Sequence, residues 1–246
     1  LEVLMPVALI IGAGDYIGAA IAKRFAVGGF TVCMGRRNGE KLAPLIAEIE
    51  ATGRKAYGFS MDARLEESVV EIFEKVEKNV GPIDVVIFNV GGNVRFNIED
   101  TTTRVFRKVW EMATFAGFLV GREAAKHMVP RGVGSIFFTG ASASMRGAQG
   151  YTAFGAGKAG LRSIAQTLAK ELGPKGMHVA HLVIDAGVDT AFVRERMVQS
   201  GLDPNAMPPD TLMDPSSVAE TYWMLHQQKR DGWTFELDIR PYRENW

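Results

Sequence analysis

The sequence predicts a doubly wound α/β fold: one parallel sheet of seven strands with helices on both faces. Three features predict it. Apolar runs of strand length alternate with stretches of helical periodicity along the chain. A glycine-rich turn joins the first strand to the first helix. A long segment rich in Pro and Asp follows the sixth strand, where open α/β sheets bind ligands.

VALIIG (residues 7–12) is a continuous apolar run, as a strand buried on both faces requires. YIGAAIAKRFAVGG then spaces its apolar residues helically and ends on a Gly pair. FTVCMG predicts the second strand, EKLAPLIAEIEATG a helix and KAYGFSMD the third strand. EESVVEIFEKVEKNVG predicts the helix that leads to the fourth strand, IDVVIFNVGG. One long helix is expected over roughly 101–128, then the strand GSIFFTG, a helix over about 151–172, and the strand MHVAHLVID. The pattern then weakens. Residues from about 193 to 215 predict a loop too long for a simple connection, so a substrate lid is expected at about 190–215. PSSVAETYWMLHQQ predicts a last helix and WTFELDIRP a last strand. No boundary, repeat or low-complexity tract interrupts 1–246, so a single domain is expected.

Composition narrows the function classes. Lys plus Arg number 28 and Asp plus Glu 28, a zero formal charge that argues against a nucleic-acid partner. The apolar start, LEVLMPVALII, is too short to span a bilayer and lacks a basic leader and a cleavage pattern, so neither membrane nor export is expected. Leu1 is not Met, and the sequence leaves open whether residues 1–4 are native. Cys33 is the single cysteine, so no intrachain disulfide forms and a cytoplasmic location fits. It falls in an apolar strand and is expected to be buried and inert. No metal site is expected.

GAGDYIG supplies Gly12, Gly14 and Gly18 between the first strand and first helix, with Tyr16 and Ile17 beside them. Such a turn brings backbone close to a pyrophosphate and presents the helix N-terminus to it. The context predicts a Rossmann-type dinucleotide site at these residues. Arg36 and Arg37 end the second strand, facing the adenosine ribose. Arginine there pairs with the 2′-phosphate of NADP, whereas an acid would favour NAD. NADP is therefore the expected cofactor, NAD the alternative, with Asp15 as an opposing charge. Asp62 is placed either to accept from the adenine amino group or to cap the next helix. Asn89, Gly91 and Gly92 follow the fourth strand, where small residues let a ribose pack on backbone.

Together GAGDYIG, DVVIFNVGG, FGAGK and VIDAGVDT resemble, in order and spacing, the short-chain dehydrogenase/reductase family over essentially the whole chain. The resemblance implies a catalytic Tyr that moves the proton and a Lys that lowers its pKa and binds the nicotinamide ribose. It also implies a Ser that orients the carbonyl and an Asn that holds a relay water. Lys158 matches the Lys. Phe154 stands at the Tyr position, Ala141 at the Ser position and Ala113 at the Asn position. Gly187 matches a Gly at the nicotinamide, with Ala186 in place of the preceding Pro, and Thr190 matches a Thr that contacts the carboxamide. The resemblance further implies a homodimer or homotetramer, and Arg240, Tyr242 and Trp246 form a polar-aromatic tail consistent with it.

Substitute groups near the strand ends are few. Tyr151 precedes Phe154 by one helical turn and either donates the proton or lines the substrate wall. Ser142 flanks the empty Ser position and either supplies a hydroxyl or serves a turn. Asp185 ends the sixth strand and either donates a proton or caps a turn. The four histidines are expected at helix ends, in strands or on the surface. Phe115, Phe118, Met145, Phe154, Phe192 and Met197 suggest an apolar chamber for an apolar or amphipathic small molecule, with core packing as the alternative. Two functions follow. One is an NADP(H)-dependent oxidoreductase with an atypical active site. The other is a non-catalytic NADP(H)-binding redox sensor or interaction module.

Overall fold

The central strands are uninterrupted apolar runs, and burial of both their faces dictates the layers. In β1 (Val7–Ile11) all five side chains are buried. The computed structural model describes residues 5–244. It adds β2 (Thr31–Arg36), β3 (Ala56–Ser60), β4 (Ile83–Phe88), β5 (Gly134–Thr139), β6 (Met177–Ile184) and β7 (Glu236–Ile239). All pair in parallel, in the order β3-β2-β1-β4-β5-β6-β7. The connection from β3 back to β4 reverses the direction of winding. The reversal opens a crevice at the carboxyl ends of β1 and β4.

Alternation along each strand divides the core in two. Ala8 and Ile10 face α1 (Ile17–Val27), α2 (Ala43–Glu50) and α8 (Pro215–His226). Val7, Leu9, Ile11 and Cys33 face α3 (Glu66–Asn79), α5 (Ala116–Met128) and α6 (Thr152–Leu172). Tyr222 of α8 is fully buried, stacks on Phe137 at 5.9 Å, and shares a 2.7 Å hydrogen bond with Thr139 Oγ1. Among the described residues no helix is long and apolar enough to cross a membrane.

Three elements differ from expectation. The helix expected over 101–128 is α4 (Thr103–Trp110) joined to α5 through one π-helical turn, Glu111–Phe115. A single widened turn leaves the apolar spacing almost unchanged, so the pattern conceals it. The expected loop at 193–215 begins as a helix, α7 (Ala191–Gln199). Thr190 Oγ1 caps it by accepting from Val193 N–H, and Asp189 pairs with Arg194. None of its residues is buried, so it lacks the apolar stripe by which a helix is recognised. The rest of the segment, 200–214, stays irregular apart from a bridge between Val188 and Met213. β7 is shorter than the expected 233–241. Tyr242 is exposed, and Trp246 lies outside the described residues, as do residues 1–4.

Burial pushes the Cys33 thiol up to about 12, since an apolar surrounding disfavours the thiolate. Native protein is therefore expected to stay unreactive toward a disulfide reagent at pH 8.5, and denaturant should release one thiol per chain. Tyr222→Phe leaves Thr139 Oγ1 buried without its partner and is expected to cost about 1–3 kcal/mol in denaturant unfolding.

Candidate functional site

The glycine turn is fixed from two sides. Gly12 has φ +89, and a Cβ there would lie 2.7 Å from Asn89 O, so only glycine fits. Gly12 and Ala13 N–H both donate to Gly35 O, at 2.9 and 3.1 Å. Asn89 Nδ2 donates to Gly12 O at 3.1 Å, tying the end of β4 to the turn. A Cβ at Gly14 would meet nothing within 4 Å, so that face is open to the crevice. Gly18 instead packs α1 onto the turn, since a Cβ there would lie 2.6 Å from Ala13 Cα. No side chain caps α1 and its first turn holds no acid; Ala19 N–H donates to Gly14 O at 2.9 Å, and the N–H groups of Ile17 and Gly18 are the ones open to an anion. Ile17 faces the crevice, while Tyr16 is 40% exposed and turns away from it.

Beside the turn lies a cavity of about 570 Å³ whose walls include Gly14, Arg36, Arg37, Lys41 and Asp62. Arg36 pairs with Asp15 at 2.6 Å, so the acid in the glycine turn is neutralised locally. Among the described residues no carboxylate lies within ion-pair distance of Arg37. Asp62 accepts from Arg64 Nε and Nη2 at 3.0 and 2.6 Å, and that guanidinium holds its carboxyl below the usual range. Leu65, not Asp62, stands at the N-cap of α3, which removes the capping alternative.

Asn89, Val90 and Gly91 line both this cavity and a second one of about 570 Å³, so the two form one crevice. Lys158 reaches the second chamber from α6. It is 3% exposed, and its Nζ donates to Thr139 O at 2.7 Å and Val90 O at 3.4 Å. Burial lowers its pKa to about 8. Phe154, 8% exposed, lines the chamber with its ring 5.9 Å from that nitrogen. Ala141, Ser142 and Gly187 are also in the wall. Tyr151 stands at the N-cap of α6, its ring 6.2 Å from that of Phe154, and its hydroxyl accepts from Arg196 Nη2 at 3.1 Å.

Several expected residues lie elsewhere. Asp185 is buried, but both oxygens face Arg146 Nη2 at 3.1 Å, and Arg240 lies 3.7 Å away. It does not line the chamber. Thr190 spends its hydroxyl on the α7 cap and does not line the crevice either. Ala113 is buried in the π turn, and its neighbour Thr114 donates to Gly157 O at 2.8 Å, holding that turn against α6. Phe154 and Met197 face the chamber, whereas Phe115, Phe118, Met145 and Phe192 do not. Phe115 and Phe118 instead group with Trp110 along α4 and α5. The four histidines also stay off the crevice. His181 is buried in β6, and burial pushes it down to about 4 despite Glu236. Among the described residues no cluster of His, Cys, Asp and Glu could hold a metal ion.

The chamber also contains groups that sequence reasoning missed: Arg196, Asn93 and Arg146. Arg196 lies on the helix hidden within the expected loop. Its one signal was the unusual charge of VRERM in an otherwise Pro-rich lid.

The profile of the short chain dehydrogenase family matches residues 6–200. A short-chain dehydrogenase/reductase of Armillaria gallica is 35% identical over 176 residues, 70% of this chain and 67% of that one. Gluconate 5-dehydrogenase of Gluconobacter oxydans is 29% identical over 191 residues, 78% and 74% of the two chains. The crystal structure of a short-chain dehydrogenase from Rhodopseudomonas palustris superimposes with a TM-score of 0.82 at 51% identity, covering 96% of this chain and 99% of that one. The parallel sheet, the glycine turn and the crevice beside Lys158 thus occur in a chain that belongs to the short-chain dehydrogenase family.

Proposed function

We propose that the protein is an NADP(H)-dependent oxidoreductase in which Tyr151 handles the proton in place of the residue at position 154. One observation carries the proposal. A single crevice runs from an open glycine turn, past Arg37, which among the described residues has no carboxylate within ion-pair distance, to a buried lysine and a hydroxyl. The residues fit a phosphorylated dinucleotide. Gly14 leaves room for a pyrophosphate beside the uncapped N-terminus of α1. Arg37 supports 2′-phosphate binding, with Arg36 partly engaged by Asp15. Lys158 has three N–H donors and two main-chain acceptors, which leaves one donor for a ribose hydroxyl.

When bound, the nicotinamide supplies or accepts the hydride. The chain's own task is the proton. Phe154 and Ala141 bring no hydroxyl to the chamber, and Ala113 brings no amide. The Tyr151 hydroxyl already accepts from Arg196, so its own proton is free for a substrate oxygen. In reduction, the carbonyl carbon takes the hydride and its oxygen takes the Tyr151 proton, leaving a phenolate that faces the Arg196 guanidinium. Ser142, in the same chamber wall, is a second hydroxyl for that oxygen. Asp185 takes no part, because its oxygens are engaged by Arg146. Exposed Phe106, Trp110 and Phe118 on α4 and α5 support assembly into a homodimer or homotetramer.

In a fluorescence titration, NADPH is expected to bind roughly 10-fold or more tightly than NADH, as a charge-assisted phosphate contact requires. Arg37→Asp should abolish that preference, and equal affinities in the native protein would overturn the NADP assignment. On a carbonyl panel with NADPH, Tyr151→Phe is expected to lower kcat by about 10²- to 10⁴-fold at unchanged NADPH affinity. Tight NADPH binding without turnover of any panel member would leave only a nucleotide-binding protein.

A further inference from the structure

Most arginines that border the crevice are matched by a carboxylate. Arg36 has Asp15, Arg64 has Asp62 and Arg146 has Asp185. On α7 itself Arg194 has Asp189. Arg196, two residues further along the same helix, is different. It is half-buried and enters the wall of the substrate chamber. Nη2 donates to Tyr151 Oη at 3.1 Å, Nη1 reaches Asn93 Oδ1 at 3.5 Å, and the guanidinium lies 5.6 Å from the Phe192 ring centroid. Among the described residues no carboxylate lies within ion-pair distance of it. Among the described residues no Asp or Glu lines the chamber, whereas Lys158 does, and so does Arg146, which Asp185 neutralises from outside it.

A chamber with cationic groups, no acid in its lining and largely apolar walls favours an anion with an apolar body. A carboxylate suits the planar fork of a guanidinium, which retains donors after its bonds to Tyr151 and Asn93. The spacing narrows the class further. The proton-bearing oxygen and the anion-binding nitrogen are 3.1 Å apart, a spacing that suits two substrate oxygens on neighbouring carbons. Met197 and Leu202 border the same chamber and offer apolar contact for the remainder of such a molecule.

We propose that Arg196 is the carboxylate anchor of the substrate chamber and that the substrate is a 2-oxo acid, or in the reverse direction a 2-hydroxy acid, carrying an apolar substituent. The proposal rests on the oxidoreductase function stated above and adds the substrate class. The keto carbon gains the hydride, the keto oxygen gains the Tyr151 proton, and the carboxylate remains unchanged on Arg196. Arg196 is thus a specificity-determining residue carried by the lid segment.

The test is calorimetric titration of the NADPH-loaded protein with N-benzyloxamate, an unreactive 2-oxo-acid mimic, and with the neutral N-benzyloxamide. The acid is expected to bind at least about 10-fold more tightly, in line with a charged hydrogen bond. Arg196→Gln should equalise the two ligands and Arg196→Lys should restore part of the difference. Arg194→Gln, on the same helix, should preserve the difference. Equal affinities in the native protein, or an acid preference that survives Arg196→Gln intact, overturn the proposal. A parallel turnover assay with 2-oxo-4-phenylbutanoate and its methyl ester separates the two claims. Selective oxamate binding without turnover of either compound or of any member of the carbonyl panel supports the anchor and removes the oxidoreductase function. Turnover without any charge preference in binding removes the anchor and keeps the oxidoreductase.

Discussion

A buried ammonium organises the site. Lys158 Nζ sits beneath the crevice floor, where burial disfavours its charge, and it is held by the carbonyls of Thr139 and Val90 at the ends of two adjacent strands. Holding it there fixes the rotation of α6 about its axis. That rotation brings Phe154, one turn earlier, into the chamber, and Tyr151 to its mouth. The Thr139 side chain is in turn engaged by Tyr222 from the opposite helical layer. Both layers of the fold therefore converge on the last residue of β5, and a disturbance of either reaches the lysine.

The charge pattern follows a second constraint. A cation beside a cavity is either neutralised by a neighbour or kept available for a ligand. Arg36 and Arg146 are neutralised, by Asp15 and Asp185. Among the described residues Arg37 and Arg196 have no carboxylate within ion-pair distance, and they line the two different cavities of the crevice. The first is the group proposed to meet a phosphate on the cofactor, the second the group proposed to meet an anion on the substrate. The chain has zero net charge, so this asymmetry is local and invisible to composition.

The sheet and its two helical layers were legible because burial imposes periodicity. VALII is apolar throughout because both of its faces are covered. The glycine turn was legible for a related reason, since Gly12 adopts a backbone angle and a closeness to Asn89 that a side chain forbids. The cavity beside the glycine turn is therefore readable through Gly12, Gly14, Arg37 and Asn89, all fixed by their position relative to strand ends. The substrate end was less readable. Asp185 sits where a strand-end acid is expected, yet its direction depends on Arg146 and Arg240 from distant segments. Arg196 was hidden because α7 buries nothing and so has no periodicity to betray it.

The sequence by itself determined the order of the strands, the position of the glycine turn between the first strand and first helix, and the absence of a hydroxyl at position 154. Those depend on local chemistry: apolar spacing, glycine dihedrals and residue identity. Tertiary structure alone decided which cations are paired, where the π turn falls, and that a hydroxyl at the start of α6 meets a guanidinium from α7. Those depend on contacts between residues as far apart as Tyr151 and Arg196, and pairwise distances of that kind leave no trace in a one-dimensional pattern.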